Sequence, residues 1–204
     1  MATTNTTRAR PVDKYDRRRD ELAESALTTL GAMGYAKASL REIANNSTFS
    51  HGVVHYYFQD KLELVIYSVR YYKARCVTRY DAVVSDSRTA DELLDAFAAK
   101  LTQTIRDEAP MHRLWYDLRT QSMFEDQLRA AVTEIDHTLQ DMIWRVVTRY
   151  SELAGRPVSV DPAAAYGMLD GLFQQALLGH LAGRDGVLDG LVAQVRKVMP
   201  LVLA

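Results

Sequence analysis

The chain has 204 residues, of which 48% are hydrophobic and 25% charged, with 25 Lys and Arg against 26 Asp and Glu. That is enough apolar material for one sizeable core or a small module beside a larger one, and a net charge of -1 offers nucleic acid or acidic membranes no global attraction, so any anion binding is local. The single cysteine, Cys76, excludes an internal disulfide, every apolar run is broken by a charge before it could cross a bilayer, and the N-terminal residues lack an apolar secretory segment. A cytoplasmic protein with no membrane partner is expected.

Charge is concentrated at the start. Arg8, Arg10, Lys14, Arg17, Arg18 and Arg19 face only Asp13 and Asp16, and residues 1-15 read as a flexible basic arm, either solvated or following a phosphate backbone. From Asp20, the residues Leu22, Ala23, Ala26, Leu27, Leu30 and Met33 recur at helical spacing, and Gly34 stops the pattern. Ser39 with Glu42 forms a capping box for a short second helix that turns Leu40, Ile43 and Ala44 inward. The polar run Asn45-Asn46-Ser47-Thr48 marks a tight turn, Ser50 caps a third helix to Tyr57, and Asp60 with Glu63 caps a fourth from Lys61.

With Val54 and Phe58 inward on the third helix, a rotation of about 100° per residue puts Gly52, Val53, His55 and Tyr56 on the opposite side, with His51 exposed at the first turn. A face of glycine, valine and aromatics with almost no charge suits a groove better than solvent. Gly52 permits close backbone approach, Val53 can touch a thymine methyl, and His51 or His55 can bond base edges. Tyr56 and Tyr57 can give hydroxyls to phosphates, while Ser39 and Lys61 begin helices whose amides favour a phosphate. His51 and His55 also stand at i and i+4, a spacing that can hold a metal, but no third ligand lies near in sequence; no metal and no cofactor is expected.

Gly34-Tyr35, Ala38-Ser39-Leu40, Ile43-Ala44, Ser50, Gly52, Tyr56-Tyr57-Phe58 and Lys61, in this order and at these spacings, resemble the DNA-binding domain of TetR-family regulators over about residues 16 to 65. The resemblance implies about nine helices, a homodimer formed mainly by the last two, and an effector pocket in the C-terminal domain. Two positions depart from the family pattern: Ser47-Thr48-Phe49-Ser50 replaces a turn that usually contains glycine, and His55 stands where tyrosine is common.

Beyond the fourth helix, Thr89 and Glu92 cap a helix to about Arg106, and Pro110 opens a short one through Trp115. A longer helix from about Phe124 to Leu153 ends at Gly155 and Pro157, Asp161-Pro162 starts another to Leu181, and a last one spans Val187 to Leu203. The final two are apolar on more than one side, which a second copy of the chain would cover. No alternating run predicts a strand. The fold expected is all-α: arm 1-15, helix-turn-helix domain 16-62, and effector-binding and dimerisation domain 63-204.

The effector pocket is sought among His112, Trp115, Tyr116, Met123, Phe124, His137, Trp144, Met168, Phe173 and Gln174, with Gln121, Asp170 and His180 as further polar candidates; most of the large residues must simply be core. Such a lining favours a hydrophobic or amphipathic effector. The function expected is a ligand-released dimeric repressor of a palindromic operator, and the alternative is a helical binding protein or enzyme without DNA affinity. Catalysis finds little support: there is no phosphate loop, serine elbow or metal cluster, and Cys76 has no recognisable partner. Repressor and activator are not distinguished by sequence.

Overall fold

The structure, a computed structural model, describes residues 11-204, with side chains from residue 14 onward. Among them nine α-helices and a terminal 3-10 turn account for the regular structure, and no strand forms; Val158 and Leu203 make one isolated bridge. The chain divides into a first unit up to Tyr72 and a second from Lys73 to Ala204.

In the first unit, α1 (Pro11–Met33) turns Leu22, Ala23, Ala26, Leu27 and Leu30 into the core. It begins earlier than the periodicity from Asp20 predicts, so Lys14, Arg17, Arg18 and Arg19 are helical and residues 11-15 are not an extended arm. Arg8 and Arg10 lie outside the described residues. The short α2 (Leu40–Asn45) is held by the expected capping box: Glu42 N donates to Ser39 Oγ at 3.2 Å and Ser39 N to a Glu42 carboxylate oxygen at 2.8 Å. In α3 (His51–Tyr57), Val53 N donates to the Ser50 cap at 3.3 Å.

The turn between α2 and α3 manages without glycine, since none of its residues takes a positive φ. Ser47 does the work instead, its hydroxyl donating to Ala44 O at 2.9 Å and accepting from Phe49 N at 3.1 Å. Phe49 is half-buried under Arg18, whose guanidinium lies 4.5 Å from the ring centroid.

Helix α4 (Lys61–Cys76) buries Leu64, Val65, Ser68 and Val69. Arg19 of α1 meets Glu63 at 2.7 Å and stacks on Phe58 and Tyr67, while Tyr67 donates to Asp20 at 2.7 Å. Burial, then the bond to Asp20, pushes the Tyr67 hydroxyl up to about 12. These cross-links bind the first two turns of α4 to the rest of the first unit.

The second unit contains α5 (Asp81–Asp86), α6 (Ala90–Gln121), α7 (Asp126–Ala154), α8 (Pro162–Leu181) and α9 (Val187–Val198). α5 buries none of its residues and left no periodic signal. α6 joins the two helices expected on either side of Pro110: the run continues through a kink at Glu108, whose φ of -133° and ψ of 25° accommodate the proline two residues on. α7 stops where Gly155 takes φ 65°, and α8 starts with Ala164 N donating to Asp161 Oδ1 at 2.8 Å. α9 ends sooner than Leu203, because Pro200 converts the last residues to a 3-10 turn.

The core of this unit centres on Leu93, Phe97, Ile105, Leu118, Leu128, Val146, Leu169, Leu177 and Val195. No described helix is long and apolar enough to cross a membrane.

Candidate DNA-binding face and ligand cavity

In the first unit, α3 keeps Val54 fully buried and Phe58 1% exposed, and thereby turns His51, Gly52, His55 and Tyr56 outward. Tyr56 is 73% exposed, yet its ring is propped edge-on against Tyr57 at 4.9 Å, and Tyr57 in turn against Tyr15 of α1. The His51 and His55 rings pack edge to face at 4.4 Å. The outward aromatics are thus braced before any partner arrives, which lowers the entropy lost on binding.

A Cβ at Gly52 would meet nothing within 4 Å, so the fold does not require glycine there. Val53 is half-buried, Ser39 and Ser50 are exposed caps, and Lys61 is directed inward, donating to Tyr35 O with its ammonium 4.3 Å from the Tyr35 ring centroid. Lys61 therefore ties the start of α4 to the loop after α1, and the amides of its helix, not its charge, are what it leaves to an anion.

The second unit holds a cavity of about 70 Å³ lined from α4, α6, α7 and α8 and the turn before α5. Of the expected pocket residues it contains His112, Trp115, Tyr116 and Phe173, together with Asp170. It does not contain Met123, Phe124, His137, Trp144, Met168 or Gln174. Met123 and Phe124 sit in the turn between α6 and α7, 69% and 81% exposed, and His137 faces solvent two residues from the inward Ile135 and Leu139. Lys73, Cys76, Arg79 and Tyr80, none of them expected there from the sequence, also line the cavity, and Leu139, Met142 and Ile143 of α7 form one wall. The missed signal was Lys73, a charge three residues before Cys76 in an otherwise helical stretch.

An ionic and hydroxyl network closes one side. Tyr116 Oη donates to Asp170 Oδ1 at 2.9 Å, Arg119 meets Asp170 at 2.6 Å and Asp136 at 3.5 Å, and Tyr166 Oη donates to Asp136 Oδ1 at 2.6 Å. Burial, followed by the charge of Asp170, pushes both tyrosine hydroxyls far up, so they remain donors. Although burial opposes it, the bond to Asp170 holds Arg119 above its ordinary value. Across the cavity Arg79 meets Glu108 at 2.8 Å, and His112 packs on Phe173 at 4.8 Å.

Lys73 is 4% exposed, with its ammonium 4.6 Å from the Trp115 ring centroid. Burial pulls its amine down to about 8, with Arg79 and Arg119 adding to the effect. Below that value the folded chain carries a desolvated charge that the unfolded chain carries in water, so Lys73→Met is expected to be more stable than wild type at pH 7 by on the order of 2 kcal/mol. Between about 8 and 10.5 the unfolded chain still binds a proton that the folded chain has released, so wild-type stability rises with pH and the difference shrinks. Denaturant unfolding of both proteins at pH 7 and pH 10 measures this, and a wild type more stable at pH 7 would contradict it.

The first unit is therefore a helix-turn-helix module with a preformed α3, in a chain whose second unit is an all-helical, cavity-bearing domain. The family model for bacterial regulatory proteins, tetR family, matches residues 22–67. HTH-type transcriptional regulator BetI from Burkholderia thailandensis is 28% identical over 171 residues, covering 81% of this chain and 83% of that protein.

Two solved structures share the fold over nearly the whole length. A transcriptional regulator from Saccharomonospora viridis in complex with choline has a TM-score of 0.73 at 18% identity, covering 92% of this chain and 98% of that one. FadR from Bacillus subtilis in complex with stearoyl-CoA has a TM-score of 0.69 at 19% identity, covering 90% and 97%. Residues 22–67 thus match the tetR family of bacterial regulatory proteins, and the chain as a whole is similar to an HTH-type transcriptional regulator.

Proposed function

We propose that the protein is a homodimeric repressor that grips a palindromic operator with two copies of α3 and is released when a small hydrophobic or amphipathic effector enters the cavity of the second unit. The observation that carries this reading is the outward face of α3: Gly52, His55 and Tyr56 are exposed, braced and nearly uncharged, and the packing of the first unit does not account for Gly52. Val53, His51 and His55 read bases, Tyr56 and Tyr57 touch phosphates, and the caps at Ser39 and Ser50 fix register through helix-end amides.

Dimerisation through about residues 162-203 is supported by Leu178, Leu181 and Leu201, which are 51%, 42% and 67% exposed in the single chain. Two-fold symmetry of the protein then calls for half-sites about 34 to 36 Å apart, or a multiple of that spacing. α4 starts at Lys61 in the first unit, and Lys73 and Cys76 near its end line the cavity of the second, so a ligand there touches the helix that carries the reading head.

Effector and DNA then oppose each other through a coupling of about 1 to 3 kcal/mol, roughly 5 to 150-fold in affinity. Equilibrium titration of operator DNA with and without saturating ligand tests this. A rise in Kd within that range is expected, and identical affinities would contradict ligand release.

A further inference from the structure

Two ring nitrogens in the cavity of the second unit find no hydrogen-bond partner within the protein, although their residues are more than nine-tenths buried. They are His112 Nε2 and Trp115 Nε1, on residues 7% and 3% exposed. Both residues line the cavity and stand three positions apart on α6, which puts them on one face of that helix. Burial pulls His112 down to about 3, so the imidazole is neutral, and the backbone of Thr104 accepts from its other ring nitrogen. Nε2 is therefore an acceptor, whereas Trp115 Nε1 can only donate. Buried polar atoms of this kind are costly unless something binds them.

The charged groups on the lining are engaged already. Arg79 meets Glu108, Asp170 holds Arg119 and Tyr116, and Lys73 has contacts of its own, the Trp115 ring among them. The cavity therefore asks a ligand for no charge. It asks for one donor and one acceptor close together, beside the apolar surface of Leu139, Ile143 and Phe173.

A hydroxyl supplies both on one atom, its O–H donating to one nitrogen while a lone pair accepts from the other. A carboxylate has no donor for His112 Nε2, an ammonium no acceptor for Trp115 Nε1, and a primary amide carries a second N–H for which the pair has no acceptor. Size narrows the class further. The cavity is about 70 Å³, roughly half of the ~150 Å³ that holds a benzene, which leaves room for about three non-hydrogen atoms.

We infer that this cavity binds a short primary alcohol of one or two carbons, its hydroxyl donating to His112 Nε2 and accepting from Trp115 Nε1 and its alkyl group lying against Phe173. The inference rests on the cavity being the effector site of the proposed function and adds the ligand class. So small a ligand is limited to a Kd of about 1 mM or weaker, and the site answers to an alcohol present in millimolar amounts.

Nuclear magnetic resonance of the full chain without DNA tests this through the indole N–H of Trp115, with that of Trp144 as internal control and Trp115→Phe as the assignment. Methanol, ethanol, 1-hexanol, acetate and acetonitrile are the probes, the last matching ethanol in size but lacking a donor. Ethanol is expected to shift the Trp115 signal saturably in the millimolar range. Acetonitrile binds about 3- to 10-fold more weakly, the worth of one hydrogen bond, and acetate and 1-hexanol leave the signal unmoved. His112→Phe, which deletes the acceptor, weakens ethanol by the same factor and leaves acetonitrile unchanged, and cooperative thermal unfolding of the variant secures the comparison.

A shift that rises linearly with every alcohol, the mark of a pair that binds water alone, would overturn the inference. So would equal affinity for ethanol and acetonitrile, or saturation by acetate. The two readings separate: alcohols that saturate the site but leave operator affinity untouched support this ligand class and contradict ligand release, whereas a larger ligand that releases DNA while ethanol leaves the indole unmoved does the reverse.

Discussion

Gly52→Glu is expected to abolish sequence-specific DNA binding while leaving the fold intact. Position 52 lies in the first turn of α3 on its outward side, and a Cβ there meets nothing within 4 Å, so no packing is disturbed. Replacing glycine inside a helix lowers the entropy lost on folding, and stability is expected to stay level or rise by up to about 1 kcal/mol. In the groove the same side chain does two damaging things. It holds the helix away from the bases, and it sets a carboxylate among phosphates, where like-charge juxtaposition costs several kcal/mol, roughly 100-fold or more in Kd. Fluorescence anisotropy on an operator duplex at physiological salt, beside thermal unfolding of the same sample, separates the two effects. A loss under about threefold would mean that α3 does not enter the groove.

The second large effect is on stability. Asp170→Ala removes the acceptor shared by Tyr116 at 2.9 Å and Arg119 at 2.6 Å, and so cuts the tie between α6 and α8. Tyr116 then keeps a desolvated hydroxyl without that acceptor, and Arg119 is left only the longer contact to Asp136 at 3.5 Å. Breaking a buried ion pair from one side costs about 3 to 5 kcal/mol. Here the Arg119 side chain is 28% exposed and water can rehydrate it, so about 2 to 3 kcal/mol is expected. Denaturant unfolding measures it, and a change below about 0.5 kcal/mol would place the pair with ordinary surface ion pairs. Asp170→Asn, which keeps an acceptor for Tyr116, should cost less.

The helical architecture was legible because its signals are local. Ser39 with Glu42, Thr89 with Glu92, and Asp161 before Pro162 announce helix starts, and each forms the side-chain cap that its spacing predicts. The face of α3 was legible for the same reason: one buried residue, Val54, fixes the phase of a seven-residue helix and hence which side chains point out. What failed depended on neighbours. Pro110 reads as a helix start, but packing of both flanks keeps the run going through a bend at Glu108. The exposed α5 has no apolar stripe to announce it.

The cavity was the least legible feature, since residue size does not encode depth. Phe124 and Trp115 look alike in sequence, yet one is 81% exposed in a turn and the other 3% exposed beside a buried amine. The polar residues that matter there, Lys73 and Asp170, are separated by nearly a hundred positions and meet only in the fold. Lys61 shows the converse, a cation suited by sequence to a phosphate but directed by the fold to Tyr35.

Selection of the purified protein on a pool of random duplexes at physiological salt, where nonspecific affinity is suppressed, tests the central claim most directly. Enrichment of a palindrome that binds wild type and not Gly52→Glu is the predicted result. Failure to enrich any sequence, with Gly52→Glu and Tyr56→Ala indistinguishable from wild type, would contradict operator recognition by α3 and leave the cavity of the second unit as the functional site.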